Sequence, residues 1–131
     1  MKCDRLLNKE IIAEVAALGH TEYFVICDCG LPIPKGVKCI DISVTAGYPS
    51  FLKVLDAVAE ELVVESVILA SEIDEKSAPL SAEMNARFGD RPMLKVPHEE
   101  FKALTKDAKC IIRTGETTSY ANVILVGGVN F

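Results

Sequence analysis

The chain has 131 residues, half of them hydrophobic and a quarter charged, with a formal net charge of −5. That points to one globular domain over residues 1–131, and the scattered Lys and Arg exclude the concentrated basic face that nucleic acid requires. No apolar run approaches the roughly 20 residues of a membrane span, and the N-terminal MKCDRLLNKE lacks the apolar stretch of an export signal.

Asn8 is placed to cap a helix over 9–18, where Ile11, Ile12, Val15, Ala16 and Leu18 form a helical stripe. Gly19 is expected in the left-handed position past its end, with His20 in the turn that follows. TEYFVICD reads as the first strand, and CGLPIPKG ends it. KCIDIS is a second strand candidate. Pro49 suits the first turn of the amphipathic helix FLKVLDAVAEEL. SVILAS is a short buried strand, and residues 74–88 are helical after Pro79. PMLKVP is a strand, HEEFKALTKD a short helix, CIIRT a strand, TGETTSYAN a loop and VILVGGV the last strand, with a bulge expected at Gly127-Gly128. Strands alternating with helices, and unbroken runs such as Val67-Ile68-Leu69, predict an α/β fold with a mainly parallel sheet flanked by helices. In such sheets ligands bind beyond the strand ends.

The stretch VICDCGLPIP ends a strand on a carboxylate between two cysteines. The five cysteines are odd in number and form no C-x-x-C pair, so the expectation is reduced thiols packed as small hydrophobes in a cytoplasmic protein, with no metal. Cys27 and Cys29 would share one face of the strand and sit in the core, with Asp28 on the other face. Asp28 has two readings of equal weight: a carboxylate bonded to its own turn, or one held by the stiff Gly-Pro loop to accept hydrogen bonds from sugar hydroxyls. His20 and His98, the only histidines, fall at element boundaries, and imidazole is the side chain suited to exchanging a proton near neutral pH. Taken alone, each reads first as an ordinary boundary residue, His20 as a cap at a helix C-terminus and His98 as an N-cap or surface residue. Glu116, Tyr120 and Asn122 share one polar loop whose flat ring and amide suit a polyol. There is no G-x-G-x-x-G, P-loop or G-x-S-x-G motif. The residues alone therefore lead to cofactor-free chemistry on a small polar molecule.

LGHT (18–21), DCGLPIP (28–34), HEEFK (98–102), IRTGE (112–116) and YAN (120–122) occur in this order in the D-ribose pyranases, and the whole chain resembles that RbsD/FucU family of sugar mutarotases. The resemblance implies a pyranose–furanose isomerase acting on D-ribose, without metal or cofactor. It also implies a homo-oligomer, typically a decamer, with its sites at subunit interfaces. Residue by residue, it makes His20 the catalytic acid and Asp28, His98, Tyr120, Ala121 and Asn122 the sugar-binding set. Cys29 stands where the family has Ala, and Ser119 where a proline is usual, which predicts a slightly wider strand end and a looser Tyr120 loop. Other readings are a non-catalytic sugar-binding or regulatory subunit of a ribose transport system and a fucose-type mutarotase; the GLPIP continuation after Asp28 favours the ribose branch.

Overall fold

The computed structural model describes residues 1–3 and 5–131. Its elements follow in the order α1 (Lys9–Ala17), β1 (Tyr23–Cys27), β2 (Cys39–Asp41), α2 (Phe51–Ala59), β3 (Val64–Ala70), α3 (Ile73–Lys76), α4 (Ala78–Phe88), β4 (Met93–Val96), α5 (His98–Leu104), β5 (Ala108–Arg113) and β6 (Val123–Gly127). All six strands form one sheet in the order β2-β5-β1-β6-β3-β4. β2, β5 and β1 are mutually parallel, as are β3 and β4, while β6 runs antiparallel to both β1 and β3. Five strands thus share one direction, as the alternating pattern predicted, and one reversed strand lies near the centre.

That sheet is covered on both faces, which explains the unbroken apolar runs. Side-chain alternation sends Phe24 and Ile26 to one face, where they pack with Ile11 of α1, Leu55 of α2 and Met84 of α4. Val25 and Cys27 go to the other, against Leu31 and Phe101 of α5. Each fully buried Leu, Ile or Phe contributes about 1.5–3 kcal/mol of transfer free energy, so these two layers dominate the stability of the fold.

Local signals mostly act as read. Asn8 Oδ1 accepts from the amides of Glu10 and Ile11. Four expectations need correction. Gly19 is not left-handed: α1 ends on an extended Leu18, and Thr21 takes the positive φ of 68°. Pro49 lies just before the cap of α2 rather than in its first turn; Ser50 caps the helix, and the Glu116 carboxylate accepts the amide of Phe51. α4 begins at Ala78 with Pro79 in its first turn, preceded by the separate turn α3. The bulge near Gly127 is carried by its neighbour: Val64 pairs with Gly127 and Ser66 with Val126, so Glu65 is the extra residue, on β3.

The reversed β6 decides what meets what. Its first end lies beside the last residues of β1, and its last end beside the turn that precedes β1. Asn122 is thereby delivered to Asp28, and Gly127 to Gly19 and Thr21.

Candidate functional site

Asp28 follows β1 directly and is clasped from both sides. Its Oδ1 accepts from the amides of Gly30 and Leu31, each at 2.9 Å. Its Oδ2 accepts from Asn122 Nδ2 at 3.1 Å, while Asn122 Oδ1 accepts the Asp28 amide at 2.9 Å. The backbone donor fixes which way the amide of Asn122 points, because only its oxygen can accept. Asn122 is itself 1% exposed, so the clasp is anchored in the core. The carboxylate thus satisfies its own turn and also borders a cavity.

That cavity, of about 400 Å³, is lined by Asp28, Leu31, His98, Lys102, Tyr120 and Asn122, among others. His98 is the first residue of α5, and its amide donates to both oxygens of Glu72 at 3.0–3.1 Å. Its ring meets Tyr120 edge to face, with centroids 5.1 Å apart and planes at 86°. Its Nδ1 is buried without a protein partner, so a ligand hydroxyl there would remove a desolvation cost. Tyr120 adopts φ 61°, a left-handed conformation costly for a bulky residue and characteristic of functional loops. The loop is tied rather than loose: Ser77 Oγ donates to the Ser119 carbonyl at 2.6 Å. Ala121 places its side chain in the core, fully buried, and does not line the cavity. Glu116 is structural; desolvation works against its ionisation, but the amides of Phe51, Thr117 and Thr118 and the Thr118 hydroxyl hold its carboxyl below the usual range.

His20 does not join this cavity in the same chain. It precedes β1, whereas Asp28 follows it, so the five-residue strand separates them, roughly 16 Å at ~3.3 Å per residue. Its turn is built by β6 and by Glu22. The Thr21 amide donates to Gly127 O at 2.8 Å, the Gly127 amide to Glu22 O at 2.9 Å, and the Gly19 amide to Glu22 Oε2 at 2.7 Å. Gly127 has to be glycine: a Cβ there would stand 2.5 Å from Gly19 O and 3.2 Å from Leu18 Cδ2. The imidazole Nε2 lies 3.1 Å from Glu65 Oε1.

Two lining or partner residues were not singled out from the sequence. Lys102 sits four residues after His98, one helical turn along the same face, a spacing visible in HEEFK. Glu65 has no local signal, because a bulge against β6 is what aims it at His20. A larger groove of about 670 Å³ lies elsewhere, among Arg5, Lys53, Asp56, Arg87 and Arg91. There Arg87 is paired with Asp56 through two bonds of 2.6 and 3.0 Å, and Arg5 with Glu60 at 3.0 Å.

The cysteine expectation divides. Cys27 and Cys110 are buried, and burial pushes the Cys110 thiol up to about 12 and Cys27 higher still. Cys29 is exposed, against expectation, because β1 stops at Cys27 and the chain has already turned toward Glu116, whose carbonyl takes the Cys29 amide at 2.9 Å. Alkylation of the native protein at neutral pH should therefore modify Cys29 and spare Cys27 and Cys110 until denaturant is added; peptide mass mapping reads this directly. Among the described residues no three His, Cys, Asp or Glu side chains converge as a metal cluster would, and no helix is long and apolar enough to cross a membrane.

Comparison with known proteins adds to this geometry. The model of the RbsD/FucU transport protein family matches residues 1–130. A D-ribose pyranase of Geobacillus kaustophilus is 53% identical over 131 residues, covering 100% of this chain and 96% of that protein. The solved structure of Bacillus subtilis RbsD complexed with D-ribose superposes with a TM-score of 0.96 at 46% identity, over 100% of both chains. A fucose mutarotase of Streptococcus pneumoniae in complex with L-fucose shares the fold, with a TM-score of 0.77 over 95% of this chain and 94% of that one, at 21% identity.

Proposed function

The chain belongs to the RbsD/FucU family, and from that premise we propose that it is a D-ribose pyranase, an isomerase that interconverts the pyranose and furanose rings of D-ribose. The observation that carries the reading is the cavity formed by the Asp28–Asn122 clasp and the His98–Tyr120 pair, in a chain 46% identical to a protein solved with D-ribose. The much lower identity to the fucose mutarotase favours ribose over fucose.

Ring exchange needs little more than placed proton donors and acceptors. To open the pyranose, the anomeric hydroxyl gives up its proton, the bond between C1 and the ring oxygen breaks, and that oxygen takes a proton. The open chain then turns, a different hydroxyl attacks C1 and loses its proton, and the carbonyl oxygen gains one. General acid–base catalysis at such steps contributes typically ~10²–10⁴-fold per group. In this reading His20 delivers the proton to the ring oxygen. Asp28, with one oxygen occupied by its turn, accepts from a sugar hydroxyl through the other. His98 and Asn122 hold further hydroxyls, the backbone of the Tyr120-Ala121-Asn122 segment borders the sugar, and the Tyr120 ring limits where it can lie.

Because His20 and the cavity occupy opposite ends of one sheet, the complete site needs His20 from a neighbouring copy. A ring-shaped homo-oligomer, in our reading a decamer, supplies that neighbour at each interface. The exposed Val63, Val129 and Phe131, all near the His20 end, are surface that such contacts would cover. The free thiols of Cys27, Cys29, Cys39 and Cys110 suit a reducing compartment, and we assign the protein to the cytoplasm.

Exchange spectroscopy by NMR on D-ribose tests the activity. Pyranose and furanose signals should exchange faster with the protein present than without it. Saturable ribose binding with no faster exchange would instead make the protein a sugar-binding module, and no binding at all would remove ribose from the reading.

A further inference from the structure

We propose that Glu65 is the positioning residue of His20, holding Nε2–H of the imidazole so that Nδ1 is the atom that exchanges a proton with the sugar. The inference rests on His20 being the general acid and deepens that reading. Glu65 is the extra residue of the β3 bulge, and a regular ladder would have given its place to a neighbour pointing to the other face. Bulges re-aim side chains at functional positions, and this one aims a carboxylate at an imidazole 3.1 Å away.

The surroundings hold both partners in register. On the histidine side, the turn is fixed to the end of β6 by Thr21 N–H to Gly127 O, and Glu22 is committed to the Gly19 amide. Lys109, the nearby cation, faces Glu22 at 3.7 Å rather than Glu65. On the glutamate side, Gly128 donates to Val63 O at 2.8 Å, and a Cβ on Gly128 would come within 3.2 Å of Glu65 Cβ. The Gly127-Gly128 pair therefore leaves room for the histidine turn on one side and the bulge on the other.

The chemistry follows from the inventory of donors. An ionised carboxylate can only accept, so the imidazole nitrogen facing it must donate. In the neutral ring the proton then resides on Nε2 and the lone pair on Nδ1. Nδ1 therefore first takes up a proton, forming an imidazolium that the Glu65 carboxylate faces, and then delivers that same proton to the sugar oxygen. A histidine held this way presents one nitrogen, in one tautomer, for every turnover, because the partner of one ring nitrogen sets the state of the other. Glu65 is exposed and at the far end of the sheet from Asp28, so its loss leaves the cavity residues in place.

The test compares Glu65→Ala, Glu65→Gln and His20→Ala for D-ribose ring exchange, with 15N spectra of the imidazoles. The chain has two histidines, so the His20→Ala spectrum assigns both. Glu65→Ala is expected to lower kcat by about 10- to 100-fold, the size of effect that follows loss of a carboxylate orienting a metal-bound histidine, with KM changed less than about twofold. Glu65→Gln should recover most of that loss, since its Oε1 still accepts from Nε2–H. Neutral His20 should be the Nε2–H tautomer in the wild type and a mixture in Glu65→Ala. A wild-type kcat in Glu65→Ala beside an inactive His20→Ala would overturn the role of Glu65 alone, as would an Nδ1–H tautomer in the wild type. Full activity in His20→Ala would overturn the general-acid reading and this proposal with it.

Discussion

Asn122→Ala should lose D-ribose binding and about 1–3 kcal/mol of stability in the same step, because one side chain serves both. Asn122 is 1% exposed and makes a reciprocal pair of bonds to Asp28, accepting its amide and donating to its carboxylate. Alanine leaves the Asp28 amide without its acceptor and frees the outer carboxylate oxygen to swing. The inner oxygen stays held by Gly30 and Leu31, so the loop survives while the aim of the carboxylate does not. Calorimetric titration with ribose and denaturant unfolding would measure the two losses separately. Asn122→Asp sharpens the expectation. It sets a second carboxylate within about hydrogen-bond distance of the first, and two such groups cannot both ionise cheaply. One of them then has a folded-state pKa above its unfolded value. Its cost is present at high pH and relieved as pH falls, so the stability gap to the wild type should narrow on acidification. Asn122→Ala should show no such narrowing. Unaltered ribose affinity in Asn122→Ala would mean that the clasp does not orient the sugar-binding carboxylate.

What the sequence makes legible is what depends on neighbours along the chain. Asn8 before an apolar stripe fixes the start of α1, the Val67-Ile68-Leu69 run marks a strand covered on both faces, and the Gly-Pro tail after Asp28 marks a rigid loop. Asp28, His98, Tyr120 and Asn122 are also visible as polar residues at strand ends, and the fold does gather them around one cavity. What is not legible depends on register between distant segments. VILVGG carries no sign that it enters the sheet backwards, yet that reversal joins Asn122 to Asp28 across 94 positions. The bulge at Glu65 exists only against β6, so its bond to His20 has no trace in local spacing. The positive φ of Thr21 and Tyr120 is imposed on residues that do not favour it, by bonds to β6 at Thr21 and by the packed loop around Tyr120. Cys29 reads as a strand residue because alternation continues through it, and only the early end of β1 exposes it.

The separation of His20 from the cavity leads to the other large effect. Proton transfer needs donor and acceptor within about 3 Å, or one water further, and the length of β1 places His20 several times that distance from Asp28 of its own chain. His20→Ala assemblies should therefore lose ~10²–10⁴-fold of the exchange rate while still binding ribose, since no cavity residue is altered. Asn122→Ala assemblies should fail for the opposite reason, with His20 intact and the cavity unable to hold the sugar. Neither variant alone contains a complete site. Co-expressed in equal amounts, they should regain activity, because an Asn122→Ala subunit can lend its His20 to the sound cavity of a His20→Ala neighbour. In the proposed ring, random mixing over head-to-tail interfaces makes half the donors and half the cavities competent, so about a quarter of the sites should work. Native mass spectrometry would establish that the assemblies are mixed and count their subunits, and exchange NMR would give their rate. Mixed assemblies no more active than their parents would put His20 and the sugar in the same chain, which the strand between them does not permit without refolding, or would remove His20 from the reaction altogether.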